Sequence, residues 1–444
     1  MPQITSIQGR RVWDSRGRPT VEAEVQLAGG ASGRAIAPAG ASRGSREAID
    51  LRDGGSALGG MDVARAVAHV NGEIAQALVG RDAADQAAVD QALIALDGTP
   101  NKARLGGNAT IAVSMAVLHA AAAAAGEPLY RYLCAGRATR LPLPEIQIFG
   151  GGAHAGRRVD VQDFMVMALG AHSFDQALVM TAEVYRAAGD LMKARGSLQG
   201  VADEGGWWPA FDSNEEALEM LLRAIESAGY VPGEEVAISL DIAASEFGRA
   251  GRYRFGLEDR EFDSDGLAEV LLRWIDRFPI VAVEDPMAED DPQGMARFCA
   301  AVGDRVQVIG DDYLVTNAAL VQQAARDRAC NAVLIKPNQA GTITETKAAL
   351  EAGRHAGFGT IVSARSGETE DVTIVHLATG WDAGQLKVGS FTRSERMAKW
   401  NEALRIEQAL GSSARFAGRD ALPLRLASDK TLQPHSGPAG SPRR

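Results

Sequence analysis

Cysteine is scarce: Cys134, Cys299 and Cys330 are the only three in 444 residues. Thiols so few and so scattered exclude a disulfide framework and a zinc knuckle, and they are expected to behave as small buried apolar side chains. A reducing cytoplasm is the expected compartment. Positive charge is also short, with 46 Lys and Arg against 57 Asp and Glu and a formal net charge of −11. That balance argues against a nucleic-acid partner, which needs a basic face. It says nothing about a single pocket, so anionic small molecules stay open. No stretch approaches the roughly 20 apolar residues of a membrane span, and Met1 to Arg11 lacks the apolar core of a signal peptide. What is present is the 46% apolar and 23% charged composition of an ordinary globular protein. At roughly 150 residues per domain, the length suggests two or three domains.

Val21, Ala23, Val25 and Leu27 alternate with Glu22, Glu24 and Gln26, the two-residue period of a half-buried strand. The segment Asp14 to Pro19 before it reads as a turn. Pro38 to Glu47 is so rich in Gly, Ala and Ser that it reads as a mobile loop, and Val63 to Ala125 has a helical pattern. Residues 1–135 are therefore expected to form an α+β capping domain. After a linker near Leu141-Pro142-Leu143-Pro144, residues 140–427 change rhythm, and the Pro-, Gly- and Ser-rich 428–444 reads as a disordered tail.

In that second region short apolar runs end in a charged residue. Val236 to Leu240 runs into Asp241, Ile280 to Val283 into Glu284, Val306 to Gly310 into Asp311, and Ala332 to Ile335 into Lys336. Thr360 to Ser363 leads to Ala364-Arg365, and Gln385-Leu386 to Lys387. The steps between the charged ends are 43, 27, 25, 29 and 22 residues, each long enough for a strand and a helix. Unalternating apolar runs mark strands buried on both faces. Repeated βα units predict an α/β fold with a (β/α)8-type barrel, whose active site lies at the C-terminal strand ends.

Such a barrel gathers Asp241, Glu284 and Asp311 in one mouth, where they repel one another unless a cation sits between them. A hard divalent ion with oxygen ligands, Mg2+ above all, answers that need. The plainer alternative is that each acid caps the helix after it. Lys336 and Lys387 enter the same ring as ion-pair partners, as clamps on a substrate anion, or, with a lowered pKa, as a general base. His355 and His376 fall in helix-like segments and read as surface or packing histidines.

These residues, with several motifs, resemble the enolase family over roughly residues 1–427. The motifs include Asp14-Ser15-Arg16-Gly17, His154-Ala155-Gly156, Asp203-Glu204-Gly205-Gly206, Ser245-Glu246-Phe247, Glu284-Asp285-Pro286, Gly310-Asp311-Asp312, Asn338-Gln339, Arg365-Ser366-Gly367-Glu368 and Arg393-Ser394-Glu395-Arg396. The resemblance implies an enolase-type barrel with an N-terminal cap, a homodimer or larger homo-oligomer, and one or two Mg2+ ions. It implies Asp241, Glu284 and Asp311 as ligands of the first ion, and Ser42 as closing over the substrate and joining the second. By the same resemblance Lys336 takes the proton from carbon 2 of a 2-phosphoglycerate-like acid, and Lys387 stabilises the carboxylate. Arg365 and Ser366 hold the phosphate, Glu204 assists loss of the carbon-3 hydroxyl, and His154, Gln162 and Asp163 complete the site.

The departures from the family pattern cluster around the substrate. Ala364 stands where members carry a His before Arg-Ser-Gly, and Asp163 where they carry a Glu after Gln162. The loop reads Ala39-Gly40-Ala41-Ser42-Arg43, Trp207-Trp208-Pro209-Ala210 replaces an aromatic-Ala-Pro-Asn segment, and Arg157 replaces an Asn. Two shortened side chains add room, and Arg43 and Arg157 add positive charge. The expected substrate is a phosphorylated or phosphonylated acid with an additional anion, as in a carboxyphosphonoenolpyruvate synthase of phosphinothricin-type biosynthesis. Ordinary dehydration of 2-phosphoglycerate is the alternative, and a catalytically inactive binding or scaffold protein a third.

Overall fold

The computed structural model describes residues 1–424, so the expected tail at 428–444 lies outside the described residues. Strands β1 (Ile4–Trp13), β2 (Pro19–Leu27) and β3 (Ser32–Ile36) form an antiparallel sheet in that order. Val21, Ala23, Val25 and Leu27 are all buried, as their alternation predicts. The carboxylate of Asp14 fixes the β1–β2 turn by accepting the backbone N–H groups of Arg16 and Arg18 at 2.8 and 2.9 Å. The helical stretch resolves into several helices, of which Gly107–Ala124 packs against β2 and β3. By length and composition this helix could cross a membrane, yet 83% of it is buried inside the protein. Apolar on every side, it is a core helix.

The barrel begins earlier than its prolines suggest. Leu143 and Pro144, expected in a linker, open strand β4 (Leu143–Gly150). Pro144 is tolerated because the pairing with β5 (Asp163–Met167) begins one residue later, at Glu145, so no ladder bond is lost on that side. After two helices, Phe174–Ala194 and Asn214–Ser227, comes β6 (Ala237–Asp241). A small antiparallel sheet follows, made of β7 (Gly248–Arg249), β8 (Arg252–Phe255) and β9 (Arg260–Asp263). The wall is completed by β10 (Ile280–Glu284), β11 (Gln307–Gly310), β12 (Ala332–Ile335), β13 (Gly359–Ser363) and β14 (Gly384–Ser390).

These strands close in the order β10-β11-β12-β13-β14-β4-β5-β6. The pattern differs from a uniform (β/α)8 repeat in one respect: β5 is antiparallel to both neighbours. A parallel pair needs a crossover connection, usually a helix, and only a loop with one short 3-10 turn, Gly152–Ala155, joins β4 to β5. Leu143, Met167, Ala237, Ile309, Ala332, Leu334 and Ile361 form an apolar cluster within the barrel. The charged residues collect at the C-terminal strand ends, while Gln307 and Gln385 pair with each other at the start of β11 and β14.

Candidate active site

Asp241 and Glu284 are the last residues of β6 and β10, and Asp311 and Lys336 immediately follow β11 and β12. Arg365 lies just past β13, while Lys387 is inside β14, in register with Ser363 of β13 and Glu145 of β4. Asp163 arrives from the other direction. It is the first residue of β5, and the reversal of that strand sets it opposite Asp241. None of the three acids caps a following helix. The helices after Glu284 and Asp311 are capped by Asp291 and Asn317, and Asp263 caps Ser264–Arg277. The capping alternative therefore fails, and the carboxylates are left for the mouth.

Two buried ammonium groups sit among these acids. Lys387 Nζ lies 2.9 Å from Asp241 Oδ2, 2.8 Å from Glu284 Oε2 and 3.5 Å from Asp163 Oδ2. Lys336 Nζ contacts Asp311 Oδ2, whose partner oxygen accepts 2.9 Å from Gln339 Nε2. Burial alone would lower both lysine pKa values, but the facing carboxylates outweigh it and hold both above the ordinary value. Glu284 is pushed well above its usual value, first by burial and then by Asp241. Asp285 rises to about 8 through burial and then Asp311. It accepts the backbone N–H groups of Asp311 and Asp312 at 2.9 and 2.7 Å, and so shapes the turn that presents Asp311.

A hard cation fits these residues. Glu284 Oε1 is buried with no partner, and the donors converging from three strands are carboxylate oxygens, the set such an ion takes. Among the described residues, the groups already compact enough for one ion are Asp285 with Asp311 and Asp312, and His154 with Asp163 and Glu204; the expected set Asp241, Glu284 and Asp311 is not drawn together in that way.

Next to them, His154 Nε2 lies 3.8 Å from Asp163 Oδ1 and 3.7 Å from Glu204 Oε1. Burial raises the Asp163 carboxyl to about 6 against the pull of His154 and Lys387. Burial would raise Glu204 too, but His154, Arg396, Lys387 and Lys336 outweigh it, and its pKa lies below the ordinary value. Two neighbouring carboxyls are thus separated, Asp163 keeping its proton more readily than Glu204. Gln162 Nε2 donates to Asp241 Oδ2 at 3.0 Å. The loop bearing Glu204 is pinned by Trp207, whose backbone N–H donates to the Ile148 carbonyl at 2.8 Å and whose ring stacks on Tyr185 at 4.7 Å. Gly205 has φ +95°, and a Cβ there would lie 2.7 Å from the Thr392 carbonyl, so this bend requires glycine.

The N-terminal unit completes the site. Arg365 Nη1 is 2.9 Å from Glu47 Oε2, and its Nη2 donates to the Ser42 carbonyl at 2.8 Å. Ser42 is buried on the segment expected to be mobile. One pocket is lined by Ser42, His154, Gln162, Asp163, Glu204 and Asp241, together with Lys336, Ala364, Arg365, Ser366 and Lys387. Arg43 and Arg157 lie outside this wall: Arg43 is exposed, and Arg157 pairs with Glu246 at 2.9 Å with its side chain 68% exposed.

Sequence reasoning missed Glu47, Gln147 and Glu145. Gln147 donates to Asp163 and accepts the Gly206 N–H at 2.9 Å, bridging two parts of the wall. Its signal was present, since Glu145 and Gln147 alternate with Ile146 and Ile148 on a strand that needs an inner face.

An eight-stranded α/β barrel with paired acids and buried lysines at the C-terminal ends of its strands has the architecture of a barrel enzyme, with its candidate active site at that mouth. Its family can be stated more narrowly. Residues 4–133 match the family description "Enolase, N-terminal domain" and residues 138–424 match "Enolase, C-terminal TIM barrel domain". The chain belongs to the enolase family.

Proposed function

We propose that the chain abstracts the carbon-2 proton of a 2-phosphoglycerate-like acid to give an enolpyruvate product. We further propose that its substrate is bulkier and more anionic than 2-phosphoglycerate, as in carboxyphosphonoenolpyruvate synthesis. The observation that carries the second part is Ala364, a methyl group in the cavity wall beside Arg365 and Ser366. Room and cationic neighbours at that point suit an added anion. Arg43, exposed beside the buried Ser42, would meet it only by turning its side chain inward, and Arg157 only by leaving Glu246.

Asp241, Glu284 and Asp311 would hold Mg2+, which supplies positive charge to a carboxylate as that group gains negative charge. Lys336, released from Asp311 and deprotonated, accepts the carbon-2 proton on Nζ. Lys387 keeps its proton and faces the substrate carboxylate. Arg365 and Ser366 bind the phosphorus-bearing group, and Arg365 is released from Glu47 as that anion takes its place. Glu204 and His154, 3.7 Å apart, would serve a group that leaves carbon 3 and needs a proton.

Phosphorus NMR of products tests the proposal, with 2-phosphoglycerate or phosphoenolpyruvate offered with and without a nucleotide-activated phosphonoformate. Slow conversion of 2-phosphoglycerate and a new phosphonate resonance with the activated donor are expected. Efficient Mg2+-dependent formation of phosphoenolpyruvate would establish the ordinary dehydratase instead. Ala364→His is expected to raise dehydratase turnover, and an unchanged rate removes Ala364 as the determinant. Lys336→Ala should lower turnover by roughly 10²–10⁴-fold.

A further inference from the structure

Glu145 projects into the barrel below the cavity lining. It is fully buried on β4, and its register partner on β14 is Lys387. Its Oε2 accepts 3.1 Å from the Ser239 hydroxyl on β6, while its Oε1 is buried with no partner. Two residues earlier on the same strand, Leu143 already belongs to the apolar cluster of the barrel. A carboxylate in such surroundings is expensive to bury unless a positive neighbour compensates it. Burial pushes the Glu145 carboxyl up to about 7, and Lys387 is the group that pulls against it.

Lys387, meanwhile, is engaged by groups with another claim on them. Its ammonium contacts Asp241 and Glu284, two of the three acids that fit a divalent cation. A cation entering there displaces the ammonium, which then needs a different carboxylate. Asp163 Oδ2 already faces the ammonium at 3.5 Å, with the Gln147 amide on its other oxygen, so it adds no new partner. Glu145, on the adjoining strand, has a whole oxygen without a partner. We infer that Glu145 is a positioning residue for Lys387: its free oxygen receives the ammonium when a divalent cation takes Asp241 and Glu284, and holds that charge toward the substrate carboxylate. The assignment rests on the function proposed above and adds to it a residue that never touches substrate.

The test is Mg2+ binding by the full chain without substrate, followed by calorimetry and by the rise in melting temperature. Glu145→Gln and Glu145→Met are expected to bind Mg2+ about tenfold more weakly than wild type, the usual scale for losing a group that supports a metal site. Each should also raise KM more than it lowers kcat. Ser239→Ala, which keeps the carboxylate, is expected to retain wild-type affinity. If the Met variant fails to fold, the near-isosteric Gln variant carries the comparison. Wild-type affinity in the Gln variant overturns the role of Glu145 and leaves the proposed function standing. Equal weakening in Ser239→Ala and Glu145→Gln assigns the effect to packing and also overturns it. A wild-type chain that binds no Mg2+ overturns the proposed function itself, and the role of Glu145 with it.

Discussion

His376 shows how one buried side chain ties stability to pH. It lies on the helix Thr373–Gly380, stacked against Tyr130 with centroids 6.3 Å apart, and its Nδ1 is buried without a partner. Burial, and then His119, push its imidazole pKa down to about 4. An unfolded histidine titrates near ~6.5. Between those values the unfolded chain binds more protons than the folded one, so the stability His376 allows above pH ~6.5 is lost as the pH falls toward 4. The full effect is roughly 3 kcal/mol by linkage. His376→Gln, neutral throughout, is expected to lose less stability between pH 7 and pH 4.5 in urea unfolding. Parallel losses in variant and wild type would show that the imidazole plays no part. The expectation of a packing histidine holds here, while His355, at the C-terminal end of Ile343–His355, is exposed.

At the scale of elements, the closest approach in the N-terminal unit is between β3 and the helix Gly107–Ala124. A Cβ on Gly33 would lie 2.2 Å from both the Ala116 carbonyl oxygen and the Ala120 nitrogen, backbone atoms that cannot rotate away. Gly33→Ala is expected to cost about 1–3 kcal/mol of stability as strand and helix move apart, visible as a lower melting temperature; an unchanged value would mean the sheet shifts freely. Legibility in the sequence follows the same element logic. Asp241, Glu284, Asp311 and Lys336 could be read from the residues because each ends a short strand buried on both faces. Asp163 could not be read that way, because it opens its strand instead of ending it, and only the family resemblance placed it. Leu143 and Pro144 read as linker because proline usually interrupts a sheet, whereas here the neighbouring strand starts one residue later. Glu47 left no local trace, since its partner Arg365 is 318 residues away.

Across the whole molecule, the N-terminal unit is joined to the barrel through buried and half-buried polar contacts. Besides Glu47 with Arg365, Asp371 Oδ2 accepts the Ile36 N–H at 2.9 Å, and Lys102 Nζ meets Glu345 Oε1 at 2.6 Å. Removing one member of a buried ion pair leaves the other charge uncompensated, a loss of about 3–5 kcal/mol. Glu47→Ala is expected to show that loss in urea unfolding and to speed tryptic cleavage after Arg43 and Arg46; unchanged cleavage would mean that other contacts hold the segment. The net charge of −11 hides this organisation, because Lys336, Lys387 and Arg365 are buried against the acids they neutralise. The reversal of β5 has a consequence of its own. Gln147, His154, Gln162 and Asp163 belong to one unbroken stretch that climbs β4, turns over the mouth and starts back down. Every other part of the rim is assembled from separate crossings of the chain. One quadrant of the rim is therefore continuous in sequence, so a change of length between β4 and β5 would move His154 and Gln162 together while Lys336, Lys387, Asp241 and Glu284 stay anchored on other strands.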